Sequence, residues 1–172
     1  MIYGNKHVVF EQVGVDSNSY FYNNGGGADS DGAYNDYEIS TIRNTVLLQN
    51  IISYLSNELT NELVSTTVQT AKNGNSSTLI STDDKLFLPA SKEVGRTGNS
   101  VNAENNALTT WTYWTTHTTD NDHIKYNNSS TAKAWWNRSP KSGSSGEACV
   151  VWSSGSIAAS STSGFISSCF AW

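Results

Sequence analysis

Serine is the most abundant side chain here with the potential for chemistry. Twelve of the residues from Ser139 onward are serine. A serine becomes a nucleophile only beside a base that is itself oriented by a third group. The three histidines, His7, His117 and His123, lie far in sequence from that stretch, and no G-x-S-x-G elbow occurs. Glycoside hydrolysis needs two carboxylates in one cleft, and the C-terminal region offers only Glu147. The two cysteines, Cys149 and Cys169, are too few for a disulfide framework or a zinc site. They read as two buried thiols or as one bridge between neighbouring strands. His117, Asp120, Asp122 and His123 crowd together without a recognised metal-ligand spacing. Asp29-Ser30-Asp31-Gly32 matches the start of a calcium loop, but no glutamate stands at its twelfth position. No phosphate-cradling glycine motif occurs. The expectation is therefore not an enzyme, with no cofactor and no metal. Binding is what remains.

The elements that would carry a binding surface follow from composition and pattern. Charged residues make up only 15% of the chain, and Ser, Thr, Asn and Gly fill the deficit. That favours a loop- and strand-rich domain with an uncharged polar surface. At 172 residues the chain reads as a single domain, 1–172. Net charge is −5 and no Lys/Arg cluster exists, so no nucleic-acid partner is expected. No run of about 18 apolar residues occurs, so membrane insertion is not expected. Met1 to His7 has no charged and then apolar pattern, so no signal peptide is visible.

Val8–Val15 reads as a strand, and Asn18–Gly32 as a turn-rich loop. Ser40 or Thr41 caps a helix carrying Ile42, Val46, Leu47, Ile51, Ile52 and Leu55. Ser56 caps a second, short one. Ser65–Ala71 is strand-like, Leu86–Leu88 reads as a short buried strand, and Gly95–Ala107 as a polar insert. From Ala148 to the end no residue is charged, yet aromatics persist, which a disordered tail would lack. Short apolar runs alternate there with Gly/Ser punctuation. Ser153-Ser154-Gly155-Ser156 is a hairpin turn in which Gly155 supplies a positive φ.

Three blocks carry a family resemblance. Trp135-Trp-Asn-Arg-Ser-Pro140, a Ser/Gly loop, Cys149-Val-Val-Trp-Ser-Ser-Gly155 and Gly164-Phe165 resemble the C-terminal half of C-type-lectin-like domains common in gut bacteria and their phages. There the pattern is Tyr/Trp-Trp-Leu-Arg-Ser-Pro, a small-residue loop and a Val-x-x-x-Gly hairpin. Asn137 stands where Leu is usual, and Ile166-Ser167 where Arg-Pro is usual. Tyr37-Glu-Ile-Ser-Thr-Ile-Arg43 and Ser81-Thr-Asp-Asp-Lys-Leu-Phe-Leu88 through Glu93-Val94 are similar to two further motifs of the same family.

The resemblance implies an α+β, C-type-lectin-like fold with two helices, short antiparallel sheets and paired N- and C-terminal strands. Val8–Val13 would pair with Phe165–Ala171. It implies a ligand-binding, receptor-recognition protein. Some relatives sit on phage tails, and some are the variable proteins of diversity-generating retroelements. A cell-surface protein or glycan receptor is the implied partner, at the virion or cell surface. A bacterial surface adhesin domain is the alternative. An enzyme of the formylglycine-generating kind is a more distant one, because it needs a close cysteine pair. Trimers occur among such tail proteins, so a homo-oligomer is compatible, though no heptad pattern for a coiled coil exists. The variable, ligand-binding part maps to about 135–172. Its candidates are Asn137, Lys141, Ser142, Ser144, Ser145, Ala148, Val150, Trp152, Ser156, Ala158, Ser160, Ser161 and Ser163. Strand alternation then turns Cys149 and Val151 inward, and Val150 and Trp152 outward. Trp135, Trp136 and Arg138 are expected in the framework.

Overall fold

The computed structural model describes residues 18–23, 27–169 and 171. The expected strand Val8–Val15 lies outside them. The described fold is α+β, with few helices and mostly antiparallel sheets. Its centre is a five-stranded sheet in the order β1-β9-β6-β7-β8. The strands are β1 (Ser19–Phe21), β6 (Trp135–Pro140), β7 (Glu147–Val151), β8 (Ile157–Ser161) and β9 (Phe165–Ser168). β1 lies antiparallel to β9, pairing Ser19 with Ser167 and Phe21 with Phe165. β6 and β9 run parallel. A separate hairpin joins β2 (Thr66–Ala71) to β3 (Leu79–Asp84), and a minor one joins β4 (Lys125–Tyr126) to β5 (Ala132–Lys133).

Residues 42 to 51 are helical as expected, but wound wider than an α-helix. Ile42–Ile51 is a π-helix, and the Ile52 N–H bonds back to the Leu47 carbonyl five residues earlier. The buried set Ile42, Val46, Leu47 and Ile51 recurs every four to five residues, which suits that wider turn. Ser40, not Thr41, supplies the capping hydroxyl, accepting from the Arg43 N–H. Ser56 caps α1 (Asn57–Glu62) through the Leu59 N–H. Leu86–Leu88 is buried but joins no sheet; Phe87 makes one two-way bridge with Ala171.

The central sheet is covered on both faces. Trp136, Ala148, Val150 and Ile166 face a core with Tyr22, Tyr37, Leu47 and Leu88. Trp135, Val151 and Cys169 face a smaller core with Val94 and Trp114. This corrects three expectations. Val150 and Ala148 are fully buried, not displayed, because β7 is an interior strand between two cores and reads as one continuous apolar run. Asn137 is fully buried too, and its side-chain oxygen accepts from the Ser91 hydroxyl at 3.2 Å. The expected framework residues Trp135 and Trp136 are buried, one on each side of the sheet.

Arg138 holds these parts together from inside. Its guanidinium is fully buried and uses all five N–H donors. Two go bidentate to Glu93, at 2.6 and 2.7 Å. One goes to the Leu88 carbonyl at 2.8 Å, and two to the Gln69 carbonyl on β2, at 3.1 and 3.2 Å. Burial works against its charge, but Glu93 and Glu104 outweigh it and push its pKa above the usual value. Next to it, the Ser139 hydroxyl donates to Glu104. That carboxylate, on α2 (Asn102–Ala107), also takes Thr70 Oγ1–H and the Ala71 N–H. A second ion pair, Arg43 with the buried Asp84, ties the π-helix to β3 at 2.8 Å.

Removing one partner of a buried pair strands the other. Arg138→Ala should therefore lower the unfolding free energy by about 3–5 kcal/mol in urea titrations. Arg138→Lys should lose most of that as well, because an ammonium cannot span Glu93, Leu88 and Gln69 together. A loss below about 1 kcal/mol for the alanine variant would refute the clamp.

Candidate functional site

The Ser/Gly loop between β6 and β7 follows directly from the Arg138 strand. Its backbone is tied down on several sides. The Ser142 N–H donates to Asn99 O at 2.8 Å, and the Gly143 N–H to Gly74 O at 2.7 Å. Ser145 O accepts from the Tyr34 N–H at 2.6 Å. The Asn35 amide donates to the carbonyls of Ser144 and Glu147, both at 2.8 Å. Gly74 is packed so closely that a Cβ there would sit 1.9 Å from the Lys141 carbonyl oxygen. With its main chain occupied in this way, the loop leaves Ser142 and Ser145 exposed. Lys141 is partly exposed and paired with Glu147 at 2.6 Å.

At the same end of the sheet lies the β8–β9 turn, where the Thr162 N–H bonds to Gly146 O and the Asn23 N–H to Thr162 O. Ser161 and Ser163 are exposed on it, their hydroxyls 2.8 Å apart. Tyr34 completes this end and is 49% exposed. The sequence reading missed Tyr34. Nothing local marks it, because its link to Ser145 spans more than a hundred residues.

The hairpin turn lies at the other end of β7, roughly 16 Å away at strand spacing. Gly155 has φ +84° and packs against the Asp120 carbonyl, where a Cβ would fall 1.7 Å from the oxygen. Asp120 is itself paired with Arg96 at 2.9 Å. Trp152 sits at this fixed turn, 39% exposed, as the sequence predicted. Ser156, Ala158 and Ser160 are half-buried. The thirteen candidates thus divide: Asn137, Ala148 and Val150 are interior, and Lys141, Ser142, Ser144, Ser145, Ser161 and Ser163 gather at the loop end. Trp152 and the half-buried Ser156 sit at the hairpin end, and Ala158 and Ser160 lie between the two ends.

A family profile described as a domain of unknown function, DUF6273, matches residues 15–168. The chain belongs to this family. No curated protein matches, and no solved structure does. Among the described residues of this DUF6273 domain, no group of three His, Cys, Asp or Glu side chains is placed to hold a metal ion. His123 is buried, stacked 4.2 Å from Trp114 and bonded to the Val94 carbonyl, so it is part of the smaller core. Asp29 accepts from the Asp31 and Ala33 N–H groups and from Asn73, which makes it a turn residue. Cys149 and Cys169 are buried and unbridged. Burial pushes the Cys149 thiol up to about 12.

Asp36, beside Asn35 in the loop that braces Ser144, carries a testable charge. Burial pushes its carboxyl up to about 6, opposed by the Glu38 N–H and reinforced by Asp29 and Glu38. An unfolded aspartate titrates near 3.9. The native state holds this proton more tightly, so its contribution is complete below about pH 4 and is lost as pH rises through about 6. Asp36→Asn keeps an oxygen for the Glu38 N–H and removes the titration. Its melting temperature, relative to the parent, should climb between about pH 4 and 7. Parallel curves across that range would refute the assignment.

Proposed function

We propose that this domain has a C-type-lectin-like fold and works as a ligand-binding, receptor-recognition protein. The fold reading is supported by the β1–β9 pairing, in which Ser19–Phe21 stands beside β9 where Val8–Val13 was expected, and by the contacts among the three resembling blocks. Arg43 reaches Asp84, the Leu88 N–H reaches the Tyr37 hydroxyl, and Glu93 reaches Arg138. The observation that carries the function is the loop end. Its backbone is pinned by hydrogen bonds while Ser142, Ser145, Ser161 and Ser163 face solvent beside an exposed tyrosine. Small polar groups around a rigid aromatic on a fixed scaffold are the composition of a recognition surface. Trp152, exposed on its own fixed turn, favours a second contact at the hairpin end.

Lys141 is already neutralised by Glu147, so the loop end presents hydroxyls and a ring rather than unpaired charge. That suits a cell-surface protein or glycan receptor. The resemblance favours a phage tail protein or a retroelement-diversified variable protein as the setting, with a bacterial surface adhesin domain as the rival. A reverse-transcriptase gene and a near-copy of the coding region for 137–163 nearby would select the diversified protein. Thiol chemistry of the formylglycine-generating kind finds no support in a buried Cys149.

Binding of the labelled domain to bacterial surfaces and to a glycan array tests this reading. Tyr34→Ala should weaken binding by on the order of 2 kcal/mol if the loop end anchors the ligand. Trp152→Ala should do so if the hairpin end contributes, at a stability cost below about 1 kcal/mol. Unchanged binding by both folded variants, or no binding by the parent, would reject the proposal.

A further inference from the structure

β8 is an outer strand of the central sheet. Its ladder with β7 is bracketed by Trp152 N–H to Ser156 O and Thr162 N–H to Gly146 O. With Val150 opposite Ala158 and Ala148 opposite Ser160, those two β8 residues turn their backbone groups toward β7. Ile157, Ala159 and Ser161 therefore turn theirs outward. Among the described residues, nothing bonds to the N–H or C=O of Ile157 or Ala159, and only the Gly164 N–H reaches Ser161 O. An open edge normally carries a lysine, a proline or a bulge that blocks further pairing. Ile157-Ala-Ala-Ser-Ser161 has none of these.

We infer that β8 is a self-association edge, pairing antiparallel with β8 of a second copy about a two-fold axis through Ala159. The outward groups are spaced symmetrically about that residue. Ala159 would exchange two N–H···O=C bonds with its copy, and Ile157 and Ser161 would each exchange two with the other's Ser161 and Ile157. Charge argues for a second copy over a foreign strand. The chain is −5 overall, yet β8 itself carries no charge, so two copies can pair along it without like charges facing each other across the new ladder. Small side chains at Ala158, Ala159 and Ser160 also let the backbones approach, and they offer no pocket that would select another sequence. This edge meets the proposed recognition end at Ser161, but the inference does not rest on that reading.

The test is sedimentation of the whole chain from about 5 to about 500 µM, a range suited to a small interface. Amide exchange is read alongside. The parent should dimerise, and the Ile157, Ala159 and Ser161 amides should slow as the dimer forms. Ala159→Lys and Ala159→Glu place like charges opposite each other at the axis, so each alone should dimerise at least tenfold more weakly. An equimolar mixture of the two should recover the dimer. Circular dichroism and exchange of the β6 and β7 amides verify that both variants fold. If either does not, protection of the three parent amides decides. A parent that stays monomeric, a dimer with those amides still exchanging freely, or folded variants whose mixture gains nothing would overturn the inference.

Discussion

The buried Arg138–Glu93 pair is the interaction on which the other parts depend. It converts three separate pieces of chain into one framework. β6 supplies the guanidinium, the turn after Pro89 supplies the carboxylate, and Leu88 and Gln69 supply carbonyls, that of Leu88 buried. The Tyr22 hydroxyl donates to the Arg138 carbonyl, and the Arg138 N–H to Pro89 O, so main chain and side chain act together. A polar strand through a protein interior is tolerable only when its groups find partners. That is why Arg138 and Ser139 can sit at zero exposure, Arg138 with every donor used and Ser139 bonded to Ser91 and Glu104. Asn137 beside them has a partner for its side-chain oxygen and, among the described residues, none for its amide nitrogen. The loop that follows inherits a fixed starting point.

The sequence made the framework legible where short-range rules govern. Ser56 as a cap, the strand at Thr66–Ala71, the turn at Gly155 and the buried tryptophans all follow from local chemistry. Arg138 was legible through its motif. What failed did so for long-range reasons. Alternation along Cys149-Val150-Val151 presumes one wet face, and this sheet has none at β7. Asn102–Ala107 carries few apolar residues, so its helix was invisible in the polar insert. It is held by Glu104 reaching across to Thr70 and Ser139. Tyr34 was missed because its bond to Ser145 is long-range. The lesson is that a buried polar residue leaves no periodic signal.

The recognition reading and the architecture are consistent in a physical sense. Membership of the DUF6273 family covers the framework and the rim together, since its match runs from residue 15 to 168. Within that span, the residues that hold the fold are large, aromatic or charged and interior. At the loop end Ser142, Ser145, Ser161 and Ser163 are small, neutral and exposed. Substituting an exposed serine such as Ser142 or Ser163 changes what the surface offers without disturbing a packed neighbour. The cost of variation is therefore low at the rim and high one residue inward.

The adjacency of β1 and β9 has a mechanical consequence. Because the strands are antiparallel, the start of β1 at Ser19 lies beside the end of β9 at Ser167. A pull applied at those two points loads the ladder from one end. The three residue pairs then open in succession instead of sharing the force. The sheet would yield first by peeling at that margin. The Arg138 clamp, which ties β6 to the β2 hairpin, lies off the line of tension and would keep the rest of the domain folded while β1 comes away.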